Sequence, residues 1–140
     1  MASIRREIVI EVPAETLWAA LKDVGAIHER LVVGFVTDCR LEGNARIVTF
    51  ANGLVAKELI VDVNDTDRRV AWSAVGTRLT HHNASAQVFA EAPGRCRLVW
   101  IADLLPDEMA PAIAGMIDEG TAAMKRTMES GASASAAGPA

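Results

Sequence analysis

Ile10-Glu11-Val12-Pro13-Ala14-Glu15-Thr16-Leu17-Trp18 holds the change of period from which the rest of the chain is read. Upstream, Ile4, Ile8, Ile10 and Val12 share one face of an alternating run, with Arg5, Glu7 and Glu11 on the other. That pattern makes residues 4–12 a half-buried strand. Pro13 ends it. Downstream, Leu17, Trp18, Leu21 and Val24 recur at helical spacing, and Gly25 is a natural stop. A short second helical turn is expected over residues 26–31.

Beyond Gly34 the chain reads as a meander. Turn residues cluster at Glu42-Gly43-Asn44, Ala51-Asn52-Gly53, Asn64-Asp65-Thr66-Asp67, Gly76-Thr77 and Ala92-Pro93-Gly94. Asn52-Gly53 is the strongest, because both residues tolerate the positive φ of a tight hairpin. The β-rich runs between them are 35–41, 45–50, 54–63, 69–75, 81–91 and 95–103, so about seven strands are expected in all.

Pro106 closes the sheet and opens the last helix. Ile113, Met116, Ile117, Gly120, Met124 and Met128 lie three or four residues apart and form a stripe that should bury. Asp107 and Glu108 near its start and Lys125-Arg126 near its end suit the helix dipole. Pro111 either kinks this helix or marks its true first turn, with 106–110 as a lead-in. Residues 1–129 are expected to be one domain and 130–140, made only of Ser, Gly, Ala and Pro, a disordered tail.

The chain has 140 residues, 51% of them hydrophobic and 23% charged, with a net charge of -4. A domain of this size buries roughly 68–70% of its unfolded surface and needs no metal or disulfide to hold it together. The acidic balance argues against a nucleic-acid surface, which calls for clustered positive charge. Cys39 and Cys96 carry no metal-binding spacing, and no apolar run is long enough to insert in a membrane. A reduced, cytoplasmic protein is expected, with no cofactor and no metal.

Strand, one or two short helices, six meandering strands and one long helix make a definite order. With the opening 10–18, Leu41-Glu42-Gly43, Glu58, the 65–69 turn and Val70-Ala71-Trp72, it resembles the Bet v 1/START-like (SRPBCC) superfamily. The resemblance runs over about 4–129. It points to the branch of polyketide cyclase/dehydratase and lipid-transport proteins. It departs at Val33-Gly34, where relatives often carry Pro-Gly. The resemblance implies an α+β helix-grip fold, with a curved antiparallel sheet wrapped around the C-terminal helix and a ligand cavity between them.

The residues support such a cavity independently. With Ala56, Ala74, Ala84, Ala86 and Ala90 on the inward face, little side-chain volume is available to fill a concave sheet to native density. Alternatively, sheet and helix simply approach each other closely where the alanines meet Gly120. Bulk on the inner face would come from Phe50, Trp72, Val88, Leu98 and Trp100. Ile113, Met116, Gly120 and Met124 would form the helix side of the wall, and the methionines would adapt to several ligand shapes. Trp18 should lock the first helix to the sheet.

Glu58 is the first chemical candidate. Ala56, Glu58 and Ile60 share one face of their strand, and Val55, Leu59 and Val61 the other. Hydrophobicity alone turns Glu58 outward beside Lys57, whereas the resemblance turns it into the cavity. Buried and unpaired, it would have a raised pKa and could act as acid or base. His81 and His82 point to opposite faces, so they cannot share a metal from a regular strand. By parity with Ala84 and Ala86, His82 reaches the cavity and could bond a ligand oxygen or shuttle a proton with Glu58. Arg46 and Asp103 read as surface charges near strand ends.

Three functions fit. The first is binding or transport of a small hydrophobic molecule, such as a lipid, polyketide or aromatic metabolite, lined by Phe50, Ala56, Glu58, Trp72, His82, Ala84 and Trp100 with the last helix. The second is a cyclase/dehydratase using Glu58 and His82 as acid and base. The third is an interaction module, in which Val55, Leu59, Val61 and Val63 form a partner or homodimer surface.

Overall fold

The alternating runs become one antiparallel sheet in the computed structural model, which describes residues 2–137. Its seven strands are β1 (Ala2–Ile10), β2 (Val36–Glu42), β3 (Ala45–Phe50), β4 (Val55–Asn64), β5 (Arg69–Val75), β6 (His81–Ala92) and β7 (Arg95–Leu105). They lie in the order β1-β7-β6-β5-β4-β3-β2. The meander is therefore unbroken from β2 to β7, and only β1 comes from elsewhere, beside β7. Helices α1 (Ala14–Lys22) and α2 (Ile27–Arg30) carry the chain from one edge to the other, and α3 (Ala110–Ala137) lies in the grip of the curved sheet. This is the helix-grip α+β fold.

Three details become definite in the structure. A single 3-10 turn at Asp107–Met109 precedes α3, so Pro111 lies in the helix's first turn, where its missing N–H costs nothing. The same helix continues past Ser130 to Ala137, where a structureless tail was expected, and alanine, the best helix former, recurs through that stretch. Residues 138–140 of that expected tail lie outside the described residues.

The third is the β3–β4 turn, which positions the site. Only Gly53 there has positive φ, at 90°. The Phe50 N–H donates to Leu54 O at 2.8 Å, the Gly53 N–H to Phe50 O at 2.9 Å, and the Leu54 N–H to Asn52 Oδ1 at 3.0 Å. The loop thus holds the three residues 51–53 that the strand bounds left between them, with Gly53 alone, and not Asn52, in the left-handed position. Its length sets the register: Arg46 faces Glu58 and Val48 faces Ala56. One residue fewer would set Arg46 opposite Leu59, on the other face of β4.

The core is dense at one end. Ile10, Val12, Leu17, Val70, Cys96 and Leu98 are wholly buried, and burial pushes the Cys96 thiol up to about 11. Trp18 Nε1 donates to Asp65 Oδ1 at 3.0 Å, which pins α1 to the β4–β5 turn as expected of it. Polar contacts hold α3 along β1: Arg6 Nε to Asp118 at 2.7 Å, Lys125 Nζ to Val9 O at 2.7 Å, and the Glu11 N–H just past β1 to Glu129 Oε2 at 2.9 Å. Among the described residues no hydrogen bond ties α3 to β3, β4 or β5. The helix is fastened along β1, with one further hydrogen bond from the Val33 N–H just before β2 to Thr127 Oγ1 at 3.1 Å, and leaves a gap over β3 to β5.

Among the expected wall positions, Gly120 and Ala90 need correcting. A Cβ on Gly120 would lie 3.0 Å from the Trp100 ring, so Gly120 is where helix and sheet touch and not part of a hollow. Ala90 is exposed, because it sits by the β6–β7 hairpin next to a bulge. Val55, Val61 and Val63 are exposed as expected, and Leu59 only partly so.

Candidate functional site

Between the β3–β6 half of the sheet and the start of α3 lies a cavity of about 670 Å³. Native interiors rarely keep voids larger than a water molecule, while ligand pockets typically run ~300–1,000 Å³. Phe50, Ala56, Trp72 and Trp100 line it from the sheet, and Ile113, Met116 and Met124 from the helix. Ala84 does not line it. It is buried between Trp72 and Ala102, its cross-strand neighbours. Ala84 and Ala86 still shape the site, since their small side chains let Trp72 and Trp100 meet edge to face across β6 at 5.8 Å. The mouth is formed by exposed Leu54, Val55, Arg78 and Ala112, with Phe35 and Phe50 in edge contact at 5.3 Å beside it.

The polar part of the wall is a row across neighbouring strands. Arg46 on β3 faces Glu58 on β4, which faces Ala74 on β5, whose N–H donates to His82 Nδ1 at 2.9 Å. Glu58 does turn inward and is buried, with 9% of its surface exposed. It is not unpaired, however: Arg46 Nε donates to Glu58 Oε1 at 2.8 Å. Lys57, its supposed surface neighbour, reaches Glu42 instead at 3.7 Å. Arg46 is therefore no surface charge. It is 5% exposed, bonds Val24 O at 3.3 Å, and lies over the Trp72 ring at 5.4 Å. Its position opposite a carboxylate was the available signal, and reading it required the register of the three-residue loop.

His82 is half-buried and lines the cavity, while His81 is exposed. The two imidazoles thus diverge as strand geometry requires. Regular pairing of β5 with β6 stops at Trp72–Ala84. Beyond it the His82 side chain takes over as acceptor for the Ala74 N–H, and Ser73 Oγ donates to His82 O at 2.6 Å. With Nδ1 accepting, the neutral imidazole carries its proton on Nε2. Burial pushes its pKa below the ordinary 6.5, with Glu58 pulling it back up and His81 pushing it further down. His82 also borders a smaller polar cleft with Thr80, Asn83 and Asp103. Asp103 accepts a hydrogen bond from Ser3 Oγ and lies outside the main cavity.

The family described as polyketide cyclase / dehydrase and lipid transport matches residues 1–129. No curated protein matches. Among solved structures, an uncharacterised protein from Bacillus thuringiensis is 17% identical with a TM-score of 0.81, over 91% of this chain and 98% of that one. Norcoclaurine synthase from Thalictrum flavum, as a point mutant in complex with a transition-state analogue, is 18% identical with a TM-score of 0.71, over 91% and 93%. A START superfamily protein from Mycobacterium smegmatis is 10% identical with a TM-score of 0.71, over 91% and 94%. At these identities the likeness is one of fold. Among the described residues no helix is long and apolar enough to cross a membrane.

Proposed function

The chain belongs to the polyketide cyclase / dehydrase and lipid transport family, of the START-like superfamily, and from that premise we propose that it binds a small hydrophobic molecule between its sheet and α3. The observation that carries this reading is the cavity of about 670 Å³, walled by apolar and aromatic side chains with a few convergent polar groups. An apolar void of that size forfeits packing contacts that a filled core would make. A ligand recovers them, so occupancy should stabilise the protein. Native mass spectrometry of the purified protein tests this, with the expected result one co-purified or added apolar molecule per chain. A protein that takes up neither a cellular molecule nor Nile red is not a carrier.

A second reading, an enzyme of the cyclase/dehydratase type, is favoured by one feature. His82 is held neutral with a proton on Nε2 beside the cavity, able to polarise a ligand carbonyl. Glu58 supports that chemistry less well than an unpaired acid would, because Arg46 already occupies one of its oxygens. Turnover of a poly-β-ketone that collapses in His82→Ala while binding persists would establish the enzyme. Equal rates in both proteins would remove this mechanism.

A further inference from the structure

If the cavity binds a ligand, the polar row on its wall selects the ligand's inner end. Arg46 uses Nε on Glu58 Oε1 and Nη1 on Val24 O. Its Nη2 and Glu58 Oε2 have no hydrogen-bond partner among the described residues. Neither atom is sealed in. Side-chain nitrogens and oxygens buried without a hydrogen bond are, among those residues, His28 Nδ1 and Arg97 Nε. Arg46 and Glu58 are otherwise enclosed, at 5% and 9% exposure, and both line the cavity. The surface left to Nη2 and Oε2 is therefore cavity surface, one a donor and the other an acceptor.

We propose that the Arg46–Glu58 pair is the receptor for one uncharged hydroxyl (a phenol, enol or alcohol) at the inner end of an apolar ligand. A hydroxyl both donates and accepts. It can give its proton to Oε2 and receive a hydrogen bond from Nη2, completing both groups at once. A ligand carboxylate would satisfy Nη2 but bring a second negative charge against Glu58, whose charge already neutralises Arg46 at 2.8 Å. A plain hydrocarbon would cover both atoms and leave them dry, which is the costly case for buried polar groups. The receptor is also preorganised, since Trp72 stacks under the guanidinium at 5.4 Å and is itself braced edge-on by Trp100. Glu58 stands three positions along β4 from Val55 at the mouth, ~10 Å at ~3.3 Å per residue. That span suits a body of about two aromatic rings behind the hydroxyl.

The test uses three molecules with one body: 4-phenylphenol, biphenyl-4-carboxylate and biphenyl. Each competes with Nile red on the full chain. The phenol should bind about tenfold or more tightly than either analogue, the worth of a hydrogen bond to a charged pair. In Arg46→Met/Glu58→Leu, which replaces the buried pair by apolar residues of similar bulk, the phenol's advantage should vanish while biphenyl still binds. Arg46→Lys keeps the ion pair but loses the planar fork, and should reduce the advantage without abolishing binding. Equal affinities for all three in the native protein, tightest binding of the carboxylate, or an advantage that survives the double substitution would each overturn the hydroxyl receptor while leaving a binding cavity. A protein that binds none of the three probes nor Nile red overturns the carrier reading and the receptor with it.

Discussion

The two ends of the concave face of the sheet are built from the same strands and covered by the same helix, yet one is solid and the other hollow. At the solid end, Leu17 and Trp18 of α1 close down on Val70, Cys96 and Leu98, and three polar contacts draw α3 onto β1 or its end. At the hollow end, Ala56, Ala74 and Ala102 face the first turns of α3 across a gap, which Leu21 of α1 and Ile27 of α2 border without filling. Between them Gly120 rests on Trp100 as the fulcrum. The difference shows that a large void in a small protein needs no unusual secondary structure. It needs only that the covering helix be fastened away from β3 to β5 and that alanines take the place of larger side chains in part of the wall there. The dense half supplies the stability that lets the other half stay open.

Substitutions that exchange the character of the two ends test this contrast. The largest effect is expected from Leu98→Ala in the solid half. Leu98 is wholly buried and does not line the main cavity, so its loss should cost about 2–5 kcal/mol in denaturant unfolding. Nile red affinity should hardly change. A loss below ~1 kcal/mol would mean that this end relaxes as freely as the other and the contrast is false. Next comes the converse change, Ala56→Leu in the hollow half. Bulk added there enters empty space and should leave stability unchanged or raise it by about 1 kcal/mol, while Nile red binding weakens about tenfold. A destabilised Ala56→Leu would show that the wall is already packed.

How far the sequence reveals these two ends differs in the same way. The solid end is legible because it is made of period: Ile4, Ile8, Ile10 and Val12 alternate, Leu17, Trp18 and Leu21 follow at helical spacing, and both patterns point to one core. The hollow end was legible only in part. Its alanines signalled missing volume, but whether Ala84 or Gly120 would border space or contact depended on which neighbour each meets across strands. Glu58 was ambiguous because both faces of β4 are apolar, Val55 and Val61 being exposed, and a bulge between Ile60 and Asp62 further breaks the alternation. The Arg46–Glu58 pair was missed for a sharper reason. The bounds 45–50 and 54–63 already leave a three-residue loop and set Arg46 opposite Glu58, but Arg46 taken by itself reads as a surface charge near a strand end, and the pair shows only when the two strands are laid in register.

The smallest effect concerns pH and isolates the hollow end, since His82 belongs to it. Burial is the main cause of the depressed pKa of His82 in the folded protein, below the 6.5 of a free imidazole. Glu58 opposes the shift and His81 reinforces it. Over the interval between the folded and unfolded values, the unfolded chain therefore binds more protons than the folded one. Stability contributed by neutral His82 is complete above the unfolded value and is lost as pH falls through the folded value. Protonation also makes Nδ1 a donor facing the Ala74 N–H, so the same step breaks the 2.9 Å hydrogen bond that joins β5 to β6 beyond their ladder. Denaturant unfolding followed from pH 7.5 downward should show stability declining below about pH 6.5. His82→Asn offers an amide oxygen to the same N–H without a titrating group, and its curve should be flatter over that interval. The Ala74 amide resonance should shift with the same midpoint in the native protein. Identical pH slopes in both proteins would mean that the imidazole titrates alike folded and unfolded, and that this wall is as wet as the surface.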